Sequence, residues 1–365
     1  MSSASSVPVF QDKLYTLEAA LNPLKMSPYL TSLVREKLDE NLEVRHIGIE
    51  VIRRRNQRCV IRYLVEAFDS HTERRMDWRI IGKVYKANRG ERVYEIMQQL
   101  WEHGFSRATE DGICIPEPLD FSSPLCMLFQ EEVPGLPLKT LIKHEPEPVH
   151  FRQLARILAK LHQCPLIPDE PFLVKNHLLR CHPRYPFLAM ASPDLETKID
   201  YIVETAQKIE TELIHDAKLT PIHGDFHLGQ ILLENGHAWL IDFDALSYGD
   251  PAADLGNLLV FMRSKAKKNP DVAKLITVFL DEYFSIMDRE IGERVILYEG
   301  LTHLRRACKS LRLQEEGWRR KVQRQIEKGV ECIEQIGKNG ALTEGDLAIV
   351  ADDEDADKME LTELN

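Results

Sequence analysis

The stretch that decides the reading is PIHGDFHLGQILLENGHAWLIDFD, residues 221–244, where three histidines and three aspartates flank an Asn-Gly pair. Asn235-Gly236 lies between two short apolar runs, ILLE and HAWLIDF. Asn-Gly suits the two positive-φ positions of a type I′ turn, so the stretch predicts a β-hairpin. With Glu234 facing His237, the register sets Gln230 opposite Ile241 and leaves Gln230 and Asp242 side by side at the open end. Asp225 sits on the loop that feeds the first strand. A carboxylate, an amide and a second carboxylate therefore converge. That is the donor inventory for holding one or two Mg²⁺ ions on a nucleotide while a base accepts a hydroxyl proton.

Upstream, the first 40 residues read as a polar helical extension, with SPYLTSLVREKLDENL its clearest segment. Short runs rich in β-branched residues follow: VRHIGIEVI, RCVIRYLVEAF and WRIIGKVY, separated by RRRNQ and DSHTERRMD. These predict a strand meander. In GERVYEIMQQLWEHGF the apolar residues Val93, Ile96, Met97, Leu100 and Trp101 recur at helical spacing. ICIPEPLDF and LCMLFQEEVPG return to strand character and end in a Pro-Gly turn. Helices dominate from about residue 137, including VHFRQLARILAKLHQ and DLETKIDYIVETAQKIETELIHDA. The expected organisation is a helical extension at 1–40, a β lobe with its linker at 41–132, a helical lobe at 133–340 and an acidic tail at 341–365.

The chain of 365 residues is 44% apolar, ordinary for a globular protein and long enough for two lobes. No apolar run approaches the roughly 20 residues of a membrane span. The opening MSSASSVPVFQDK lacks the basic-then-apolar order of a secretory leader. Seven scattered cysteines without a C-x-x-C pair fit a reducing compartment rather than a disulfide scaffold or zinc site. A cytoplasmic protein without a membrane partner is the expectation. Most of the net charge of −11 is local, since residues 341–365 hold nine acidic residues and one lysine. Such a segment reads as solvated and disordered. Composition gives no support to a nucleic-acid partner.

HGDFHLGQ followed by IDFD resembles the catalytic segment of the aminoglycoside phosphotransferase and choline kinase family, whose pattern is H-G-D-x-H-x-x-N and then I-D-[FW]. The HLGQ ending is most similar to maltokinase-type members. YGDPAADLGNLL is similar to the family's G-D-P-x-x-D-L stretch, LARILAKLH to its helix before the catalytic loop, and FQEEVPGLPL to its inter-lobe linker. The likeness spans roughly residues 125–262. It implies an α+β, protein-kinase-like fold with a small antiparallel β N-lobe and a larger helical C-lobe. It also implies an ATP- and Mg²⁺-dependent phosphotransferase. The acceptor would be a hydroxyl of a small molecule: a sugar, an amino alcohol or an aminoglycoside-like compound.

Carried over residue by residue, the resemblance makes Asp225 the group that orients or deprotonates the acceptor hydroxyl, and Asp242 and Gln230 the Mg²⁺ ligands. Gln230 stands where the family has asparagine, one methylene shorter, so the hairpin shifts or a water intervenes. Lys83, mid-strand in RIIGKVYK, would reach the nucleotide α/β-phosphates. Its glutamate partner is displaced: Val93 occupies the expected position, and of the substitutes Glu91 and Glu95 we prefer Glu91. The segment from Phe129 to Glu132, with Gln130, Glu131 and Glu132, would offer backbone groups to adenine. His223 is expected to brace the loop, and Asp244 and Asp254 to serve loop bracing and first-turn helix polarity. By physics alone Asp250 is a good helix N-cap and Pro251 fits the first helical position. The nucleotide-covering turn is Arg-rich, not Gly-rich, and Arg53, Arg54 and Arg55 read as a solvated run. HLRRACKSLRLQEEGWRRKVQRQIEKG reads first as solvated helix faces. Its second reading is the lining of an acceptor pocket for an anionic or polyhydroxyl substrate.

Two other readings stay open on the residues alone. A nucleotide-binding pseudokinase with a regulatory or scaffold role is supported by the missing Gly-rich turn and the displaced glutamate. A metal-dependent hydrolase is supported by His223, Asp225 and His227 in H-x-D-x-H order, which Asp242 and Asp244 would complete as a two-metal site. For His227 and His237 the plain expectation is exposed loop or hairpin histidine.

Overall fold

The structure, a computed structural model, describes residues 14–336 apart from 56, 88, 167–169, 215–216 and 267–268. The acidic segment 341–365 and the first 13 residues of the expected extension lie outside the described residues. The chain divides into two compact units, one running to Pro134 and one starting at Gly135. No helix among the described residues is long and apolar enough to cross a membrane.

The first unit is a five-stranded antiparallel sheet. Its strands, in spatial order, are Glu43–Arg55, Arg58–Asp69, Arg74–Tyr85, Met127–Glu131 and Pro118–Ser122. Alternation sets its faces. Cys59, Ile61, Tyr63, Val65 and Ala67 point to one side, where they form a core with Ile80, Val84, Met127 and Phe129. The helix Pro23–Lys37 closes that side with Met26, Leu30, Leu33 and Val34. It starts earlier than its apolar pattern suggests because Asn22 caps it, accepting from the N–H groups of Leu24 and Lys25 at 3.0 and 3.3 Å, and Pro23 fills the first position. Leu30 is fully buried in this contact. Leu30→Ala is expected to cost about 2–5 kcal/mol, read as a lower urea midpoint for the first unit.

RRRNQ does not separate the first two strands as expected. Both run on until Arg55 faces Arg58, so Arg53, Arg54 and Arg55 belong to the strand. Antiparallel pairing up to Arg55 opposite Arg58 holds those arginines extended. The helix Arg89–Leu100 buries Val93, Met97 and Leu100 and packs on the strands at 118–122 and 127–131.

The second unit is built from helices around a small β element. Helix Ile291–Leu313 is its axis, buried along most of its length and flanked by Ala252–Ala266, Trp318–Ile336, Glu196–Ile209 and Tyr185–Ala191. Gly256 permits a close crossing of Ala252–Ala266 with this axis. A Cβ there would lie 2.8–2.9 Å from Tyr298 and Glu299 atoms, inside contact distance. Helices Pro148–Gln163 and Pro270–Phe284 pack together beside this group. The hairpin pairs Ile231–Glu234 with His237–Leu240, and Leu136–Pro137 adds a short third strand.

Candidate active site

Two short strands fix where the 221–244 stretch begins and ends. Thr220–Ile222 pairs antiparallel with Ser247–Gly249, so the chain entering the Asp225 loop is zipped to the chain leaving the Asp242 turn. Between them, the loop is pinned from below by Asp254. This residue lies in the first turn of helix Ala252–Ala266 and is 1% exposed. Its carboxylate accepts the N–H of His223 at 2.6 Å, the N–H of Gly224 at 2.8 Å and the ring Nε2–H of His162 at 3.3 Å. The Tyr283 hydroxyl, 2.7 Å from His162 Nδ1, donates to that nitrogen and so fixes the tautomer. Burial pushes the Asp254 carboxyl up, but the His162 ring, His223 and the Gly224 N–H outweigh it and hold it below the usual carboxylate range.

His223 is fully buried and donates Nε2–H to the Ile241 carbonyl at 3.0 Å. It braces the loop to the hairpin. Gly224 then turns the chain with φ of 75°, and Asp225 emerges exposed. The outer side of this turn is clamped by Arg180. Its Nη1 donates to the Gly224 carbonyl at 2.9 Å, and its Nη2 to the Ala245 carbonyl at 2.7 Å and the Ser247 hydroxyl at 3.1 Å. The guanidinium lies 3.9 Å over the Phe172 ring. One side chain thus ties the Asp225 loop to the turn after Asp242.

The hairpin has the expected register: Glu234 faces His237, and the Ile241 N–H donates to the Gln230 carbonyl at 2.9 Å. Asn235 and Gly236 take φ of 49° and 82°. Asp242 follows in the left-handed region, a conformation aspartate tolerates better than most residues, and is half-buried. Gln230 is 8% exposed, with its amide 3.3 Å from His227 Nε2. The other His227 nitrogen, Nδ1, accepts the Gly229 N–H at 3.0 Å. The proton of a neutral ring therefore sits on Nε2, and the Gln230 amide, whose own Nε2 lies 3.3 Å away, accepts it through Oε1 once turned about its last bond. Oε1 keeps a second lone pair for a cation. His227 is accordingly no exposed loop histidine. It is half-buried, stacks on Phe261 and orients Gln230. His237 is half-buried too, stacked on Trp239.

One amide oxygen and one carboxylate at the hairpin's end fit Mg²⁺, a hard cation that takes few protein oxygens and keeps water and phosphate for its other positions. The two-metal hydrolase cluster does not form. His223 is turned inward, away from Asp225. Among the described residues no group of three or more His, Cys, Asp or Glu could hold a metal ion.

In the first unit Lys83 is 6% exposed, paired across the sheet with Val60 and Leu128. It stands on the face opposite the apolar core, with Ile81, Leu128 and Gln130 beside it. The Gln130 Oε1 is buried without a hydrogen-bond partner. Val93 is buried in its helix, whereas Glu91 and Glu95 are both exposed. The segment expected to offer backbone groups to adenine is partly committed. The Glu131 N–H donates to the Glu117 carbonyl at 3.0 Å and the Glu132 N–H to the Arg79 carbonyl at 3.4 Å, so both of these donors are taken. The Glu131 side chain pairs with Arg107 and that of Glu132 with Arg62.

Sequence reasoning missed His162, Arg180 and Asn257, whose amide donates to the Phe226 carbonyl at 2.9 Å. None belongs to a local motif that signals a bond to the loop. Asp250 does cap its helix, through the Ala252 N–H at 3.0 Å, but it is also gripped by Arg294 at 2.7 Å and by the Tyr298 hydroxyl at 3.3 Å.

No curated protein sequence matches the chain significantly. Solved structures share its fold. An ethanolamine kinase of Plasmodium vivax is 15% identical with a TM-score of 0.53, covering 92% of either chain. The choline kinase LicA of Streptococcus pneumoniae is 16% identical with a TM-score of 0.53, covering 84% of this chain and 99% of its own. The spectinomycin phosphotransferase APH(9)-Ia, solved with ADP and spectinomycin, is 12% identical with a TM-score of 0.51, covering 86% and 98%. The model of the phosphotransferase enzyme family, that of the aminoglycoside phosphotransferases, matches residues 68–287, well over half of the chain. With that match laid over the pinned Asp225 loop and its hairpin, the chain belongs to the phosphotransferase enzyme family.

Proposed function

We propose that the protein transfers the γ-phosphoryl group of ATP, with Mg²⁺, to a hydroxyl of a small molecule. The observation that carries this reading is the exposed Asp225 on a loop whose two preceding N–H groups are held by buried Asp254, beside a hairpin end bearing Gln230 and Asp242. The acceptor oxygen bonds to the γ-phosphorus as the bond to the bridging oxygen breaks and ADP leaves with the electron pair. The hydroxyl proton passes to the Asp225 carboxylate. Gln230, oriented by His227, and Asp242 would hold Mg²⁺, which supplies charge neutralisation on the phosphate oxygens. The Lys83 ammonium would add positive charge for the α/β-phosphates, and the 129–132 segment would offer its backbone to adenine.

A base in the position of Asp225 contributes typically about 10²–10⁴-fold to a phosphoryl transfer. The test measures transfer from ATP and Mg²⁺ across hydroxyl acceptors for wild type and Asp225→Asn. Transfer is expected to fall by about that factor in the variant, with nucleotide-induced thermal stabilisation retained. Undiminished transfer in Asp225→Asn would sink the reading. One observation favours the pseudokinase alternative, the buried Val93 with Glu91 exposed in the helix that should carry the lysine's partner. Nucleotide stabilisation without transfer to any acceptor would select it.

A further inference from the structure

Beside Gly224 the second unit has a small recess, partly open to solvent, lined among others by His177, Asn257, Tyr298, Thr302 and Arg305. Its charge is one-sided. Arg305, on helix Ile291–Leu313, spends one N–H on the Asn257 amide oxygen, and the Asn257 amide in turn donates to the Phe226 carbonyl. The guanidinium is thereby fixed relative to the residue that follows Asp225. Among the described residues no carboxylate forms an ion pair with Arg305, which leaves most of its five donors for another partner.

The neighbouring acids are committed elsewhere. Asp254 serves the loop N–H groups and His162, while Asp250 serves Arg294 and the Tyr298 hydroxyl. In the recess wall the His177 Nε2 is buried and has no hydrogen-bond partner. Burial, with Arg180 and Arg305 nearby, pushes that ring's pKa down to about 3, so it stays neutral and polar at ordinary pH. A cationic acceptor would meet an uncompensated guanidinium here. An anionic one would find a planar fork suited to two oxygens and a neutral ring nitrogen.

We propose that the acceptor is an anionic alcohol, with a carboxylate or phosphate held by Arg305 in this recess and its hydroxyl presented to Asp225. This rests on the phosphotransferase reading above, and the transfer step is the same: the acceptor oxygen bonds to the γ-phosphorus, ADP leaves and the proton passes to Asp225. The charged run that contains Arg305 therefore does more than solvate a helix face. Arg306 and Lys309, on the same helix, are not part of the recess lining.

The test pairs binding with transfer. D-glycerate and D-gluconate probe a carboxylate, and glycerol 3-phosphate and glucose 6-phosphate a phosphate. Glycerol, glucose and ethanolamine are the neutral and cationic controls. Calorimetry is run with and without AMP-PNP and Mg²⁺ on wild type, Arg305→Gln and Arg305→Lys, and transfer from ATP is assayed alongside. At least one anionic probe is expected to bind and, with ATP, to be phosphorylated. In Arg305→Gln its KM should rise about 10–100-fold with little change in kcat or in nucleotide binding, and Arg305→Lys should fall between.

Preferred binding of the phosphate probes over the carboxylates, or the reverse, identifies which anion the fork takes. The proposal is overturned if a neutral or cationic control is the better acceptor, if Arg305→Gln binds the anions as wild type does, or if no anionic probe binds a protein that binds nucleotide. The kinase reading fails separately. In that case the nucleotide does not bind, while Arg305-dependent anion binding without it would still support the anion site.

Discussion

Asp254→Ala is expected to destabilise the second unit by roughly 3–5 kcal/mol and to remove most phosphoryl transfer, more than the loss of the exposed Asp225 carboxylate would cost the fold. Three donors lose their acceptor together: the N–H groups of His223 and Gly224 and the Nε2–H of His162. The His223 and His162 donors lie in an interior where water does not readily replace a carboxylate, and the Gly224 donor is part-buried. Each buried donor left unmade costs about 1–3 kcal/mol, and the loop they position carries Asp225. Thermal unfolding should show a fall in Tm on the order of 10 °C, and the transfer assay a matching collapse in kcat.

The acid limb gives an independent check. The Asp254 carboxyl is held below its ordinary value, so its contribution is fully present above the unfolded-state pKa of about 3.9 and is lost as pH falls through the lower folded value. Wild type should weaken below about pH 4, whereas Asp254→Asn should show a flatter acid limb. A wild-type Tm and kcat in Asp254→Ala would show that the loop is held by something else.

What was legible in the sequence divides by the range of the interaction that encodes it. The hairpin could be read to the residue because Asn235-Gly236 fixes the turn and the turn fixes the register, so Gln230 and Asp242 come together by a local rule. Alternation likewise placed Lys83 in a strand, although the face it shares with Gln130 depends on how three strands pair. Arg180 left no trace. Its partners are the carbonyls of Gly224 and Ala245, 44 and 65 positions away, and a carbonyl is offered by every residue. His162 was visible only as the last residue of an apolar helix, its bond to Asp254 spanning 92 positions. The half-buried setting of His227 is not legible because a polar residue two places before a glycine resembles loop chemistry. The ring's two contacts, Gly229 N–H and the Gln230 amide, become specific only once the turn is closed.

The same distinction bears on the proposal that Gln230 holds Mg²⁺. A glutamine in place of asparagine reaches farther from the backbone, and a flexible amide alone would be a poor Mg²⁺ ligand. Here the extra methylene is matched by a histidine that fixes the amide plane and is itself fixed by the Gly229 N–H. A Cβ on Gly229 would sit 3.0–3.1 Å from the His227 ring, so the glycine keeps that ring in place. The H-L-G-Q order is thus a physical unit: an orienting ring, a close approach and the amide proposed as a ligand.

Gly224→Ala is expected to be strongly damaging. The residue has φ of 75°, which costs an L side chain about 1–2 kcal/mol by itself. The larger obstacle is space. A Cβ would stand 2.5 Å from the Ala245 carbonyl oxygen and 2.5 Å from Arg180 Nη1. Arg180 can swing away, at the expense of its clamp, but the backbone carbonyl cannot. Relief therefore requires the Asp225 loop to separate from the turn after Asp242, and these are the two segments whose spacing the reaction depends on. A displacement of about 1 Å in such a constellation typically costs about 10²-fold in rate. The variant should lose at least that much in kcat while its far-ultraviolet spectrum stays native-like, because the nearest clashes fall on the Ala245 carbonyl and the Arg180 side chain. Arg180→Ala, which removes the clamp without adding bulk, should show a smaller loss in kcat. A Gly224→Ala protein with wild-type kcat would mean that the loop has slack that the Asp254 bonds do not allow.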